Sequence, residues 1–410
     1  MHKIERLLQT LAPKGVEFRK LGEVCEILDN RRIPIAKNKR NPGIYPYYGA
    51  NGIQDYIDSY IFDGDFVLVG EDGSVINKDN TPVVNWASGK IWVNNHAHVL
   101  QTKNELKLKF LYFYLQTIDV SYCVAGTPPK INQENLKKIT IPIPPLEIQQ
   151  EIVKILDAFT ELNTELNTEL NARKKQYQYY QNMLLDFNDI NQNHKDAKEK
   201  LAQKPYPKRL KILLHTLAPK GVEFRKLGEV LEYDQPNQYC VTSKEFDKSY
   251  PTPVLTAGKT FILGYTNEKD NIYQASKSSP VIIFDDFTTA TQWVDFPFKV
   301  KSSAMKILLP KNPTINIRFI FFYMQTIPYN IGGEHTRQWI SRYSQITIPI
   351  PPLEIQQEIV KILNQFSLLT TDLLAGIPAE IKARKKQYEY YREKLLTFKP
   401  LTPLNNKELA

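Results

Sequence analysis

Ten residues at 31–40, RRIPIAKNKR, carry five Lys or Arg and no acid. Cations at this density suit phosphate oxygens or the acceptor edge of guanine in a major groove. Arg31, Arg32, Lys37, Lys39 and Arg40 are therefore candidate DNA contacts, against the plainer reading of a solvated loop. QPNQYCVTSKEFDK at 235–248, the corresponding stretch later in the chain, has no such run. Two different specificities would explain the contrast. Gly-punctuated turns, GANG (49–52) and TAGKT (256–260), also correspond. Gly permits close backbone approach, and Asn51 or Lys259 can address a base or a phosphate. TAGKT is no nucleotide-cradling loop, since Pro253 stands where that motif needs its first Gly. Asn94, Asn95 and His96 match Lys301, Ser302 and Ser303 by offset, and AGTPPK (125–130) matches GGEHTR (332–337). Polar side chains on such loops suit groove reading, and a plain turn is an equally good account. Thr127, Lys130, Thr336 and Arg337 join the candidates, Lys130 and Arg337 because a cation occupies both positions despite divergent neighbours.

Catalytic constellations are missing. No D/N-P-P-F/Y tetrapeptide or GxGxxG fingerprint occurs, and the six histidines lack metal spacing, HAH (96–98) alone being weak. The acid pairs Glu71-Asp72 and Asp285-Asp286 read as turns, without a nuclease lysine arrangement around them. Three scattered cysteines indicate neither a disulfide framework nor a zinc site. The expectation is a non-enzyme with no metal or cofactor of its own. A net charge of +9 favours a polyanionic partner, and 42% hydrophobic residues make the chain globular. No segment has the length of a membrane span or the character of a signal peptide, so a cytoplasmic protein is expected.

The elements that must position these loops are duplicated. Residues 7–24 and 213–230 differ only at Gln9 and His215; 139–156 and 346–363 are both ITIPIPPLEIQQEIVKIL; ARKKQYQYY (172–180) returns as ARKKQYEYY (383–391). Between these blocks the sequence diverges. Runs such as 66–69 and 281–284 predict buried strands, and the aromatic stretches 107–118 and 316–327 predict buried helices. Each half is thus an α+β domain, 1–145 and 208–352. Adjacent prolines in IPIPP stop regular structure. Beyond them Ile152, Leu156, Phe159, Leu162, Leu166, Leu170, Tyr177, Tyr180, Leu184 and Phe187 recur at helical spacing, as do Ile359 to Phe398 in the second copy. Long helices are expected over 146–187 and 353–398, the second interrupted at Gly376 and Pro378, with a polar linker at 188–207 and a tail at 399–410. A pseudo-two-fold would lay these helices antiparallel as a coiled coil, each covering the other's apolar stripe. The Tyr residues of the third block continue the seam, so packing explains them better than nucleic-acid contact. TELNTELNTELN at 160–171 is a four-residue repeat, each unit adding about 6 Å of rise. It reads as a spacer, or as a helix tolerating a slipped repeat.

The IPIPPLEIQQEI blocks at domain–helix junctions, the duplication and the tandem repeat together resemble the specificity subunits of type I restriction–modification systems. YPYYGANGIQDYI (45–57), YIFDGDFVLVGEDGS (60–74) and TPVLTAGKTFILGYT (252–266) resemble recognition-domain patterns of that family. The resemblance covers nearly the whole chain. It implies two target-recognition domains, each reading half of a split double-stranded DNA site, with the helices setting the gap. It also implies two modification subunits that methylate adenine, and restriction (motor-nuclease) subunits. S-adenosylmethionine, ATP and Mg would then belong to partners only. The rival readings are an autonomous DNA adenine methyltransferase with fused readers, and a coiled-coil scaffold with no DNA role.

Overall fold

The computed structural model describes residues 2–73, 75–190, 197–256, 260–328, 337–371 and 376–402. The chain forms two compact units, Met1–Asn167 with Glu380–Ala410, and Thr168–Ala379.

Unit 1 begins with α1 (His2–Leu11), β1 (Glu17–Lys20), the single turn α2 (Leu21–Val24) and β2 (Cys25–Ile27). Then come β3 (Pro42–Gly49), β4 (Gly52–Ile57), β5 (Phe62–Gly70), β6 (Val84–Val93) and β7 (Ala97–Thr102). α3 (Leu108–Leu115), α4 (Gln133–Lys138) and β8 (Thr140–Ile143) lead into α5 (Leu146–Leu185). One six-stranded sheet runs β2-β7-β5-β6-β3-β4. It is antiparallel except where the end of β6 meets β3 in parallel, Tyr47 beside Trp92 and Tyr48 beside Val93. Alternation along β5 sends Phe66 and Leu68 to one face and Val67 and Val69 to the other, where α3 packs. The aromatic run of α3 buries Phe110, Leu111, Phe113, Tyr114 and Leu115, too many for one stripe, as suits a helix covered on several sides.

Unit 2 repeats the plan. α6 (Ala197–Gln203), α7 (Lys208–Leu217), β9 (Glu223–Lys226), α8 (Leu227–Val230) and β10 (Leu231–Asp234) precede β11 (Thr252–Leu255), β12 (Ile262–Thr266) and β13 (Val281–Asp285). β14 (Thr291–Val294), β15 (Lys299–Val300), β16 (Met305–Pro310), α9 (Ile317–Met324) and α10 (Gln338–Ser341) follow. The unit continues through β17 (Thr347–Ile350) and α11 (Leu353–Thr371); α12 (Ile377–Leu396) returns the chain to unit 1. Here the sheet is split into β10-β16-β13-β14 and β12-β11-β15. The register explains why. Thr291 faces Phe284 as Val84 faces Val69, which places Pro297 where unit 1 has Lys90. Proline donates nothing to a ladder, so the strand that is continuous as β6 breaks into β14 and β15.

The repeated blocks are the parts that close each unit. β1 pairs with β8 and β9 with β17 in matching registers. Pro142 and Pro349 lie inside these strands, contrary to the expectation that IPIPP excludes a ladder. A two-stranded ribbon has a free outer edge, where a missing N–H costs little; the stop comes at the next proline pair. Just beyond, Gln149 is fully buried in the first turn of α5. Its amide donates to the carbonyls of Glu105 (2.9 Å) and Pro144 (2.7 Å) and accepts from the Lys107 N–H (2.8 Å). Gln356 does the same with Thr314 (3.1 Å), Pro351 (2.7 Å) and Asn316 (2.8 Å). Gln149→Ala would orphan these buried backbone groups. It is expected to cost about 2–4 kcal/mol in urea unfolding, against well under 1 for exposed Gln178→Ala.

Within unit 1, the start of α5 pairs with α12: Ile152, Leu156, Leu395 and Leu396 share the core, and Phe159 lies on Tyr391 and Tyr388 at 5.5 and 6.3 Å. Within unit 2, the end of α5 pairs with α11 through Leu184, Ile359 and Leu363, with Tyr180 stacked on Phe366 at 4.8 Å. Tyr177, Tyr180, Tyr388 and Tyr391 of the third repeated block are thus seam residues, while Tyr179 and Tyr390 are exposed. On the second path α11 is described to Thr371 and α12 from Ile377; Leu373 of the expected seam lies outside the described residues. Pro378 fits the first turn of α12, where its missing N–H is unneeded. Of residues 188–207, read from sequence as a linker, the described ones are folded: Ile190, Leu201 and Tyr206 enter the core of unit 2. The Val222 N–H donates to Ile190 O (2.8 Å), as the Val16 N–H donates to Lys399 O (2.8 Å) in unit 1. Gly15 is needed there: its φ is +124° and a Cβ would lie 2.7 Å from Lys399 O.

Candidate nucleic-acid interface

In unit 1 the loops carrying the candidates lie at the ends of the strands. Asn51 is exposed at the tip of the β3–β4 hairpin, beside the turn that follows β6. That turn is built by Asn94. Its backbone N–H donates to Tyr48 O (3.0 Å), its Oδ1 accepts from the His96 N–H (2.8 Å) and its Nδ2 donates to Gln54 Oε1 (3.3 Å). Asn94 is buried, so it forms the turn and is not itself placed to touch DNA. Asn95 and His96 are exposed on it, with His96 Nδ1 against the Asp72 carboxylate. In unit 2 the Lys301 N–H donates to Leu255 O (2.8 Å), the same bond from the same register position. The exposed Lys301 ammonium lies 5.5 Å from the Phe246 ring, and Ser302 is exposed next to it. Lys259 and Thr336 lie outside the described residues.

The basic loop divides its cations. Arg32 turns inward: Nη1 bonds Glu71 Oε2 (2.6 Å) and Ala97 O (2.8 Å), and the side chain is 12% exposed. Arg40 stacks on Tyr47 (4.1 Å) and meets Asp55 (3.5 Å), 13% exposed. These two, expected to contact DNA, are braces, because the fold supplies carboxylates that the local sequence lacks. Arg31 is exposed over Phe62 (4.7 Å), and Lys37 and Lys39 are exposed on one tight turn. The loop is pinned beneath them. Trp92 Nε1–H donates to Ile33 O (2.6 Å), and the Ile35 N–H donates to Tyr47 Oη (2.9 Å). In unit 2 the residue at the register of Trp92 is Lys299, fully buried, its ammonium 2.8 Å from Glu268. Glu268 Oε1 in turn accepts from the Thr242 and Ser243 N–H groups (2.9 and 2.8 Å). Burial alone would raise the Glu268 carboxyl, but the bonds from Lys299, Ser243 and Thr242 hold it at about 2. The same strand position thus braces each variable loop by different chemistry.

Lys130 and Arg337 sit over a buried polar junction that the sequence did not disclose. Glu71, at the end of β5, bonds Arg32 and lies 3.0 Å from the Lys130 ammonium and 3.7 Å from His98. His98 is fully buried, with Nδ1 2.6 Å from Asp29 Oδ2 and Nε2 2.8 Å from Ile131 O. Burial pushes the Asp29 carboxyl up, yet the His98 hydrogen bond, the charges of His98 and Arg32 and the Val99 N–H leave it below the ordinary range. The Ile131 N–H donates to Glu71 O (2.8 Å), fixing the loop that carries Thr127 and Lys130, both exposed. In unit 2 the Gln338 N–H donates to Asp286 O (2.8 Å), fixing exposed Arg337. Lys306 lies 3.5 Å from Asp286 and bonds Gln235. Asp286, read from sequence as half of a turn, is buried; Asp285 does form the turn, accepting from the Phe287 and Thr288 N–H groups (2.9 and 3.1 Å). Donor atoms of Asp29, Glu71 and His98 lie within 4.8 Å of one another, as metal ligands would. Arg32 and Lys130 already match the two carboxylates, and the twin junction presents Gln and Lys, so the donor chemistry is that of a polar core. The signal that could have found it is strand register: HAH and the two acid pairs fall at matching strand ends.

The duplication agrees with known proteins. The family model described as "Type I restriction modification DNA specificity domain" matches residues 13–176 and again 219–383. A relative from Haemophilus influenzae, described as a type I restriction enzyme specificity subunit, is 35% identical over 96% of this chain and 98% of its own length. The EcoR124I/EcoR124II specificity subunit of Escherichia coli is 54% identical over 188 residues, covering 43% of this chain and 45% of that one. The crystal structure of a type I restriction–modification S subunit from M. genitalium matches the fold with a TM-score of 0.59 at 16% identity, over 95% of this chain and 97% of that one. No helix among the described residues is long and apolar enough to cross a membrane. With both halves of the duplication matched and one relative aligned nearly end to end, the chain belongs to the specificity subunits of type I restriction–modification systems, their non-catalytic DNA-recognition component.

Proposed function

We propose that the chain reads a two-part DNA site, residues 1–145 addressing one half and 208–352 the other, with the helices at 146–187 and 353–398 setting the gap. The observation that carries this is one loop framework built twice with different exposed side chains: Lys37, Lys39, Asn51, Asn95, His96, Thr127 and Lys130 in unit 1, Lys301, Ser302 and Arg337 in unit 2. A framework that is kept while its exposed tips diverge is what two base-reading specificities on one scaffold require. The repeated closing blocks suit two copies of one partner, a modification subunit. Restriction subunits complete the assembly, and S-adenosylmethionine, ATP and Mg belong to those partners. Neither the fused-methyltransferase nor the plain-scaffold reading gains support.

Selection of duplexes from a random library by the full chain tests this. Two short motifs at a fixed gap are expected, and a single continuous motif would reject the proposal. The double variant Lys37→Ala/Lys39→Ala is expected to weaken binding to all duplexes and to lower the slope of log K against log salt by about 2. An unchanged slope would remove these lysines from the interface.

A further inference from the structure

In each unit a row of backbone bonds ties four segments together at the strand ends. The turn after β6 or β15 donates to the hairpin, Asn94 N–H to Tyr48 O (3.0 Å) and Lys301 N–H to Leu255 O (2.8 Å). That turn accepts from the end of the next strand, Glu71 N–H to His96 O (2.8 Å) and Asp286 N–H to Ala304 O (3.2 Å). The strand end in turn accepts from the loop of Lys130 or Arg337, Ile131 N–H to Glu71 O and Gln338 N–H to Asp286 O, both at 2.8 Å. The hairpins match in detail. Tyr47 faces Asp55 and Tyr48 faces Ile53, so Gln54 is an extra residue in β4. Val254 faces Gly264 and Leu255 faces Ile262, so Leu263 is the extra residue of the same bulge in β12. A bulge re-aims the side chain it carries.

The two rows differ in character at two places. Unit 1 has Gln54 at the bulge and Asp72 just past the strand end. Both are bound to the turn, Gln54 Oε1 accepting from Asn94 Nδ2 (3.3 Å) and Asp72 meeting His96. Unit 2 has Leu263 and Phe287 there, 42% and 38% exposed. One exposed leucine needs no explanation. Two apolar side chains do, when they stand where the twin unit is polar, on the row that carries Lys301, Ser302 and Arg337. Ile53 and Ile262 are exposed as well, but they are the same residue at the same register and mark no difference. The base edges in a major groove present hydrogen-bonding groups and one apolar group, the C5-methyl of thymine. We propose that Leu263 and Phe287 are specificity-determining residues that pack against thymine methyls of the second half-site, where unit 1 offers hydrogen-bonding groups instead. This rests on the two-half reading above. DNA is the occupant because both side chains are continuous with the row which that reading requires.

Deoxyuridine tests this, since it pairs as thymidine does and lacks only that methyl. Duplex selection with the full chain first gives the two motifs. Replacing each thymine by uracil, one position at a time, is expected to weaken binding of the native chain about fourfold at each contacted methyl. Leu263→Ala should abolish the penalty at one thymine and Phe287→Ala at another in the same motif, with the other motif and the gap unchanged. Both side chains lie at the surface, so the variants are expected to melt with the native chain, and the uracil comparison itself needs no variant. Motifs without thymine, or native binding indifferent to the methyl, overturn the proposal. Indifference is what wedges in the minor groove would give, because the methyl lies in the major groove. Alanine variants that keep every uracil penalty, or that lose penalties in different motifs, also overturn it. Failure of the two-half reading would look different, as one continuous motif in place of a split one.

Discussion

Deletion of one TELN unit from α5 is expected to leave both half-site sequences unchanged and to shorten the preferred gap by about one to two base pairs. The helix is unbroken across 160–171. Thr160 and Thr164 hydroxyls donate to the carbonyls of Leu156 (2.9 Å) and Thr160 (2.8 Å), Asn167 donates to Asn163 O (2.7 Å), the leucines are half-buried and the glutamates exposed. Every unit carries the same side chains in the same order, so removing one slides the next into its place. What changes is length, by about 6 Å, and phase, by about 40°. A DNA step is about 3.4 Å, so the displacement corresponds to one or two base pairs, not a fraction of one. Duplex selection reads the outcome. The old gap, or new half-sites, would show that the repeat is not a spacer.

Patterns of period two and 3.6 made the buried strands, the aromatic helices and the seam legible, because burial on one face writes itself into adjacent residues. The basic loop was legible only as a composition. Arg32 and Arg40 look like Lys37 and Lys39 until the fold brings Glu71 and Asp55 to them. Asn94 looked like a reader because a turn-forming side chain and a base-reading one are the same residue type. The splitting of the second sheet turns on Pro297, whose meaning depends on a register no single strand reveals. Hardest to see were the junctions. Their members are tens of residues apart, and His98 and Lys306, or Asp29 and Gln235, share no chemistry that a repeat search would match. Only equal places in two ladders make them equivalent.

Lys306→Met should therefore be far more damaging than loss of any exposed lysine, about 3–5 kcal/mol in reversible unfolding. The ammonium is 2% exposed and the Asp286 carboxylate 1%. One Asp286 oxygen accepts from the Trp339 N–H (2.8 Å); the other has no hydrogen-bond partner among the described residues and faces only the Lys306 charge at 3.5 Å. Methionine fills the volume and keeps an apolar contact to Tyr233, over whose ring the ammonium lies at 4.7 Å, but strands a buried anion. The variant Lys306→Met/Asp286→Asn removes that anion while keeping an acceptor for Trp339, and is expected to recover most of the loss. Additive losses in this double-mutant cycle would mean that the lysine acts through packing alone. Non-additivity of about 2 kcal/mol or more would locate the energy in the uncompensated carboxylate, and so in the charge that holds the recognition loop to the strand end.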